Sequence, residues 1–216
     1  MKILITGTSS GIGRATALEF LLNGHQVVGI DKERSAIDNT GYTHICCDVW
    51  KDELPDIHGL EVLINNAGQQ TETLEDIDVN LKSLIRCTEK YGIHSGIKAI
   101  VNVASVSGHN GAEFPAYAAS KGGVLAYTKN TANAIAKYGA TCNSVSPGGV
   151  LTESNGHIIK NPQLWEAVMK ECLLPKWAEP EEIAQWIYFI AVMNKSMTGQ
   201  DVIIDNGEMA KYNFIW

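Results

Sequence analysis

Thr6-Gly7-Thr8-Ser9-Ser10-Gly11-Ile12-Gly13 follows a short apolar run, Lys2–Thr6, and opens a helix-period stretch, Gly11–Asn23. Clustered glycines carry a binding mechanism in this setting, where a strand turns into a helix. Lacking a Cβ, such a turn can take positive φ and approach a phosphate closely, with the free N–H groups of the new helix pointing at it. Glycines at 7, 11 and 13 depart from the usual G-x-G-x-x-G spacing, so a second feature is needed. Asp31 supplies it, at the end of a second apolar run, Gln26–Ile30, close to where an acidic side chain accepts from the ribose hydroxyls of a dinucleotide. A carboxylate there repels a 2′-phosphate and the loop holds no Arg or Lys, which favours NAD over NADP. Lys32 and Arg34 leave room for dual use, and a solvated turn aspartate is the alternative reading.

Outward from the loop, apolar runs alternate with helix-period segments without a linker or internal repeat. Strands are expected at Lys2–Thr6, Gln26–Ile30, Thr43–Cys47, Glu61–Ile64, Lys98–Val103, Thr141–Val145 and Val202–Ile204. Helices are expected at Gly11–Asn23, Glu75–Tyr91, Pro115–Tyr138 and Pro180–Val192. Strands that are apolar on both faces and alternate with helices imply an α/β fold, a doubly wound parallel sheet covered on both sides. Ligands then sit beyond the carboxyl ends of the strands.

With 216 residues, 45% hydrophobic and 19% charged, the composition is that of one globular domain spanning 1–216, which excludes disorder, coiled coil and low complexity. The longest apolar run, Trp186 to Met193, is less than half of the ~20 residues a membrane-crossing helix needs. The amino terminus lacks the apolar stretch of a signal peptide, so a cytoplasmic location is the expectation. Seventeen basic against 24 acidic residues give a net charge of −7 with no local basic cluster, which argues against nucleic acid as a partner. The 5 cysteines and 6 histidines show no CxxC, HExxH or HxH spacing, so reduced thiols and no metal site are expected.

Tyr117 and Lys121, in Tyr117-Ala118-Ala119-Ser120-Lys121, fall one turn apart on one helix face, where an ammonium can act on a phenol. A free tyrosine titrates near ~10, and lowering it by ~3 pH units takes roughly 4 kcal/mol of differential stabilisation. Spacing alone also fits a snorkelling surface pair; context has to decide.

The chain resembles the short-chain dehydrogenase/reductase family in Thr6–Gly13, Asn65-Asn66-Ala67-Gly68, the Ser105 segment, the Tyr117-xxx-Lys121 pair and Pro147-Gly148, five motifs in order over essentially its whole length. The resemblance implies a single-domain Rossmann fold and NAD(H)-dependent interconversion of a secondary alcohol and a ketone, a small-molecule alcohol or carbonyl being the substrate. It implies that Tyr117 is the acid/base, that Lys121 binds the nicotinamide ribose and lowers the tyrosine pKa, that Ser105 holds the substrate oxygen, and that Asn80 anchors a water in the proton relay. For the cofactor it implies contacts from Gly7, Thr8, Ser9, Ser10, Gly11, Ile12 and Gly13 to the phosphates, from Asp31 to the ribose, and from Asp48 and Val49 to the adenine. Asn66, Ala67 and Gly68 would pack beneath the adenosine ribose while Asn65 braces the sheet. Pro147, Gly148, Val150 and Thr152 fit the PGxxxT pattern whose backbone and hydroxyl hold the carboxamide. Ser107 is the weaker serine candidate, and for Asp48 a helix N-cap is the alternative.

The chain is shorter than the family's usual length, and the spans Asp31–Asp48, Asp48–Asn65 and Gly68–Asn80 are where it is short. The helices after strands two and three should therefore be shortened or replaced by loops, exposing that sheet edge. The family's dimers and tetramers imply a homotetramer or homodimer, with the small residues Ala116, Ala118, Ala119, Gly122, Gly123 and Ala126 serving either subunit contact or packing within the subunit. Substrate choice falls to His109–Phe114, Gln69-Gln70, Gly149–Leu151 and a lid at about 153–177. Trp165, Trp177 and the tail Tyr212-Asn213-Phe214-Ile215-Trp216 are candidate apolar walls. His109 and Asn110 hint at a polar substrate. A catalytically silent NAD(H)-sensing or scaffold protein on the same fold is the second reading, against which the intact Asn80, Ser105, Tyr117 and Lys121 argue.

Overall fold

A computed structural model of the chain describes residues 1–71, 73–112 and 114–212. Seven strands form one parallel sheet in the order β3-β2-β1-β4-β5-β6-β7. They are β1 (Lys2–Thr6), β2 (Gln26–Asp31), β3 (Tyr42–Cys46), β4 (Val62–Asn65), β5 (Ala99–Val103), β6 (Thr141–Pro147) and β7 (Asp201–Ile204). All seven expected strands are present, β1 with the expected bounds and the others with ends shifted by one or two residues. The strand order reverses at β1, which opens a crevice between the carboxyl ends of β1 and β4.

Alternation along each strand explains why the runs read as apolar throughout. Ile3 and Ile5 of β1 pack with Phe20 of α1 (Gly11–Leu22) and with Ile183 and Ile187 of a carboxyl-terminal helix. Leu4 faces the opposite layer, with Leu63, Ile100, Tyr91 and Ile135. Both layers are dry, since successive side chains of a strand leave opposite faces of the sheet.

The predicted helix 75–91 is continuous but not uniform. It comprises one turn, α2 (Glu75–Ile77), a wider π segment, Asp78–Lys82, and α3 (Ser83–Tyr91). A short α4 (Ser107–Asn110) precedes α5 (Pro115–Ile135), whose first turn carries Pro115. After β6 come α6 (Gly156–Ile159), α7 (Pro162–Met169) and α8 (Pro180–Tyr188), the last ending in a second π segment, Phe189–Met193. Among the described residues no helix is long and apolar enough to cross a membrane.

Residues 32–41 and 47–61 hold no helix, as the short spacing predicts. The second of these loops still buries Leu54 and Leu60, so irregular chain covers the sheet face there. Four of its carbonyls accept from α3. Arg86 donates to Val49 O and Trp50 O, both at 3.1 Å, Lys90 donates to Leu54 O at 2.5 Å, and the Tyr91 hydroxyl donates to Pro55 O at 2.7 Å. One face of α3 thus does for this loop what intrahelical bonds do in a helix. Arg86→Ala leaves two part-buried carbonyls without their donor and is expected to destabilise the protein by about 1–3 kcal/mol in urea unfolding.

Candidate active site

A cleft of about 720 Å³ runs across the carboxyl ends of β1, β4, β5 and β6. At one end lies the glycine loop. Gly7 has φ +77, in the left-handed region. A Cβ on Gly13 would lie 1.9 Å from Gly7 O and 2.4 Å from Asn66 Nδ2, so nothing larger than glycine fits there. Asn66 Nδ2 donates to Thr6 O at 2.9 Å and Gly7 O at 3.1 Å, while Thr6 Oγ1 accepts the Asn66 and Ala67 N–H groups at 3.0 Å each. The ends of β1 and β4 are thereby tied together beneath the loop. Ser10, the extended residue before α1, makes no side-chain cap, and the first turn holds no acidic residue. That turn, with Gly11, Ile12 and Gly13 on the cleft, keeps the positive end of the helix dipole for an anion.

Asp31 stands beside the loop, where Oδ2 accepts from Ser9 N and Oδ1 from Glu33 N, both at 2.9 Å. Asp48 Oδ1 accepts from Trp50 N at 2.9 Å and Lys51 N at 3.2 Å, which makes it the cap of a turn rather than of a helix. Asp31, Asp48, Val49, Ser9, Ser10, Asn66, Ala67 and Gly68 all line the cleft. Thr8 does not: it is fully buried and its Oγ1 lies 2.9 Å from the Tyr42 hydroxyl. Thr8 fills the space over Gly29, where a Cβ would meet Thr8 Oγ1 at 2.4 Å. Asn65 braces the sheet as expected, donating to Thr88 Oγ1 and Asn102 Oδ1, both at 2.9 Å. Asn102 passes the tie on to Thr128 of α5 at 2.9 Å.

At the other end Ser105, Tyr117 and Lys121 meet on the cleft. Lys121 is 5% exposed, with Nζ donating to Val103 O at 2.9 Å and lying 5.6 Å from the centre of the Tyr117 ring. Burial pulls its amine down to about 8, against which Asp76 pushes upward. Burial pushes the Tyr117 phenol up, the Ser105 side chain pulls it part-way back through a hydrogen bond, and Asp76 adds to the rise. Burial and the Ser105 hydrogen bond thus act on the phenol in opposite directions, with desolvation of the phenolate the larger effect. Asn80 lies in the π segment, a feature common at functional sites. It is buried off the cleft, where its Oδ1 accepts from Gln69 N at 2.7 Å and its Nδ2 donates to Gln69 O at 2.8 Å and Ser120 Oγ at 3.1 Å. Gly68 makes room for this arrangement, its would-be Cβ lying 3.0 Å from Asn80 Oδ1 and 3.6 Å from Lys121 Nζ.

Pro147, Gly148, Val150 and Thr152 close the far wall. Val150 pairs with Ala178, and its carbonyl accepts from Asn155 Nδ2 at 2.8 Å and Thr152 N at 2.9 Å. The Thr152 methyl lies 3.3 Å from where a Gly11 Cβ would stand, so this segment reaches across to the glycine loop. Trp177 packs so closely on Gly149 that a Cβ there would meet its Nε1 at 2.0 Å.

Two expectations about the substrate end change. His109 does not face the cleft: its Nε2 sits 2.8 Å from Asp201 Oδ2 and 3.3 Å from Ser146 Oγ, because α4 turns it toward β6 and β7. The hint of a polar substrate survives only in Asn110, which does line the cleft. Of the aromatics, Trp177 forms wall, Trp165 packs edge-on behind it at 5.2 Å, and Tyr212 is largely exposed. Residues 213–216 of the tail lie outside the described residues. Gly122 and Gly123 serve packing within the subunit, against Gly108 O and Leu81, which leaves Ala119 and Ala126 exposed on α5.

The sequence reading missed Asp76 and the cleft-lining Glu171 and Glu208. Asp76 stands one turn before Asn80, a same-face spacing that could have flagged it. Among the described residues no group of three or more His, Cys, Asp or Glu is placed to hold a metal ion.

A family model described as enoyl-(acyl carrier protein) reductase matches residues 7–208. The chain belongs to the short-chain dehydrogenase/reductase family. Within it, the 3-oxoacyl-[acyl-carrier-protein] reductase of Synechocystis sp. is 30% identical over 239 aligned positions, covering 94% of this chain and 95% of that protein. The glucose 1-dehydrogenase of Gluconobacter oxydans is also 30% identical, covering 95% of this chain and 91% of its own. A solved structure of a 4-hydroxyisoleucine dehydrogenase mutant complexed with NADH and succinate superposes with a TM-score of 0.88 at 29% identity, over 99% of this chain and 100% of that one. Short-chain dehydrogenase/reductase neighbours of this chain thus include one with NADH and another, at 25% identity, with NADP.

Proposed function

We propose that this oxidoreductase interconverts a secondary alcohol and a ketone with NAD(H), Tyr117 acting as the acid/base. The observation that carries the reading is the convergence of Ser105, Tyr117 and Lys121 at one end of a cleft whose other end is a glycine cradle with no room for a Cβ. The cradle, the uncapped start of α1 and the carboxylate of Asp31 suit a pyrophosphate and an adenosine ribose. When bound, the nicotinamide supplies the hydride donor or acceptor. In oxidation the Tyr117 phenolate takes the hydroxyl proton of the substrate; in reduction the phenol returns it. Ser105 orients the same oxygen, and the Lys121 ammonium stabilises the charge that develops on the phenol. Asn80 sets the position of Gln69 in the cleft wall through its paired hydrogen bonds.

NAD is favoured over NADP by Asp31, with Lys32 the residue that could soften the preference. Asp31→Ser removes the charge that a 2′-phosphate would meet and is expected to raise the NADP/NAD ratio of kcat/KM by about tenfold or more. An unchanged ratio would mean that Asp31 serves only to hold the Ser9 and Glu33 amides.

The cationic side chains lining the cleft among the described residues are Lys32, Lys51 and Lys121, and only Lys121 belongs to the substrate end. Glu171 and Glu208 line that end, Glu208 Oε2 lying 3.0 Å from where a Gly148 Cβ would stand. An uncharged alcohol or ketone therefore suits the pocket better than an acid. Two or four copies would associate through the exposed small residues of α5 and the last strand, in the cytoplasm.

The test is NADH formation or consumption with a panel of neutral sugars, secondary alcohols, ketones, hydroxy acids and acyl thioesters. Turnover of neutral members is the expected result, and a preference for hydroxy acids would overturn the charge reading. Silence across the panel, in a protein that binds NADH by fluorescence, would favour the sensor reading.

A further inference from the structure

Asp76 is a carboxylate with 0% exposure, and the proton chemistry above makes no use of it. It sits on α2, which packs against α5, the helix of Tyr117 and Lys121. Its oxygens accept the Thr71 N–H at 2.9 and 3.2 Å and the Thr71 hydroxyl at 2.8 Å. One turn later Asn80 holds Gln69 in the same manner. Together the two side chains pin the cleft wall at both ends of Gln69–Thr71. A neutral amide is enough for such a clamp, as Asn80 demonstrates. A buried carboxylate is a costly way to do the same work unless its charge is also used.

Among the described residues Asp76 and Lys121 are the only buried acidic or basic side chains, and they stand on helices that pack together, α2 and α5. An ammonium carries three N–H donors, and that of Lys121 donates to the Val103 carbonyl. Among the described residues no direct ion pair joins it to a carboxylate. Around Lys121 stand Tyr117 from its own helix, the Val103 carbonyl from β5, Gly68 from the loop after β4 and Asn80 from the π segment, with Asp76 one turn before Asn80 on α2. Asp76 alone among these is a carboxylate.

We propose that Asp76 is a positioning residue of this active site, the buried counter-charge that keeps Lys121 an ammonium beside the Tyr117 phenol. The direction of its effect agrees, since Asp76 opposes the fall that burial imposes on the Lys121 amine. The same charge also raises the Tyr117 phenol, so Asp76 trades some basicity control at tyrosine for a charged lysine. This inference deepens the Tyr117/Lys121 reading and rests on it for its catalytic consequence, but its test needs no turnover.

The test is an NMR titration of the full chain labelled with ¹³C-lysine, the Lys121 side-chain resonance being assigned by its loss in Lys121→Met. Wild type is expected to titrate near 8. In Asp76→Asn the Lys121 midpoint should fall by about one pH unit, cutting the charged fraction at pH 7.5 about threefold. Asp76→Glu, which keeps the charge, should restore the midpoint. Thr71→Val, which keeps the charge and loses one clamp hydrogen bond, should leave it in place. A midpoint unmoved in Asp76→Asn, or moved equally by Thr71→Val, overturns the proposal in favour of a purely structural clamp. Should Asp76→Asn fail to fold, Asp76→Ser replaces it, and a Lys121 midpoint unmoved in that variant overturns the proposal.

Discussion

Tyr117→Phe is expected to lose about 10²- to 10⁴-fold in kcat while binding NADH as well as wild type. The substitution removes one hydroxyl from a half-buried ring that packs beside Lys121, so the cleft keeps its shape. On the proposed mechanism the lost atom is the one that exchanges a proton with the substrate oxygen. The pH dependence follows with a definite sign. Oxidation needs the phenolate, so its rate rises with pH through the Tyr117 titration; reduction needs the phenol and falls over the same range. Because burial pushes the phenol up and the Ser105 hydrogen bond only partly opposes it, oxidation should favour the alkaline side. Both limbs should vanish in Tyr117→Phe. Near-wild-type turnover in the variant, with the pH limbs intact, would remove Tyr117 from the chemistry. Stopped-flow turnover combined with NADH fluorescence titration separates the proton step from binding.

Gly13→Ala should abolish tight NADH binding. The new Cβ would stand 1.9 Å from the Gly7 carbonyl oxygen and 2.4 Å from Asn66 Nδ2. The nearer atom is backbone, so no rotamer change relieves the clash and the loop itself must move. Overpacking of this kind costs about 1–3 kcal/mol. Displacement of the phosphate cradle weakens binding by about tenfold for each 1.4 kcal/mol lost. A Kd for NADH raised by about ten- to a hundredfold, with a lowered Tm, is the expected outcome. Gly24→Ala is the informative comparison. Gly24 has φ +76 with nothing within 4 Å of a Cβ, so it bears only the backbone cost of about 1 kcal/mol. It should lower Tm and leave NADH affinity alone. Equal loss of affinity in the two variants would mean that global destabilisation, and not the cradle, governs binding.

The central strands were legible because they are apolar on both faces, and the glycine loop because its spacing sits at a strand-to-helix turn. The missing helices after β2 and β3 could be read from chain length alone, since the spans are too short to hold them. How the second span stays buried could not. Arg86, Lys90 and Tyr91 read as an ordinary polar helix face, and only packing shows that they satisfy the carbonyls of Val49, Trp50, Leu54 and Pro55. His109 failed for a related reason. Its nearness to Ser105 in sequence suggested the cleft, whereas the turn of α4 delivers it to Asp201, far away along the chain.

The sequence by itself determined the fold class, the family and the set Ser105, Tyr117 and Lys121, because these depend on periodicity and on short motifs whose spacing a helix or a strand end converts directly into position. The tertiary structure decided what lies around that set. It buried Asp76 on a helix packed against that of Lys121, turned Thr8 onto Tyr42, packed Trp177 on Gly149 and desolvated the Tyr117 phenol. Desolvation and charge coupling depend on which elements pack together in space, and residues distant along the chain carry no local signal of that.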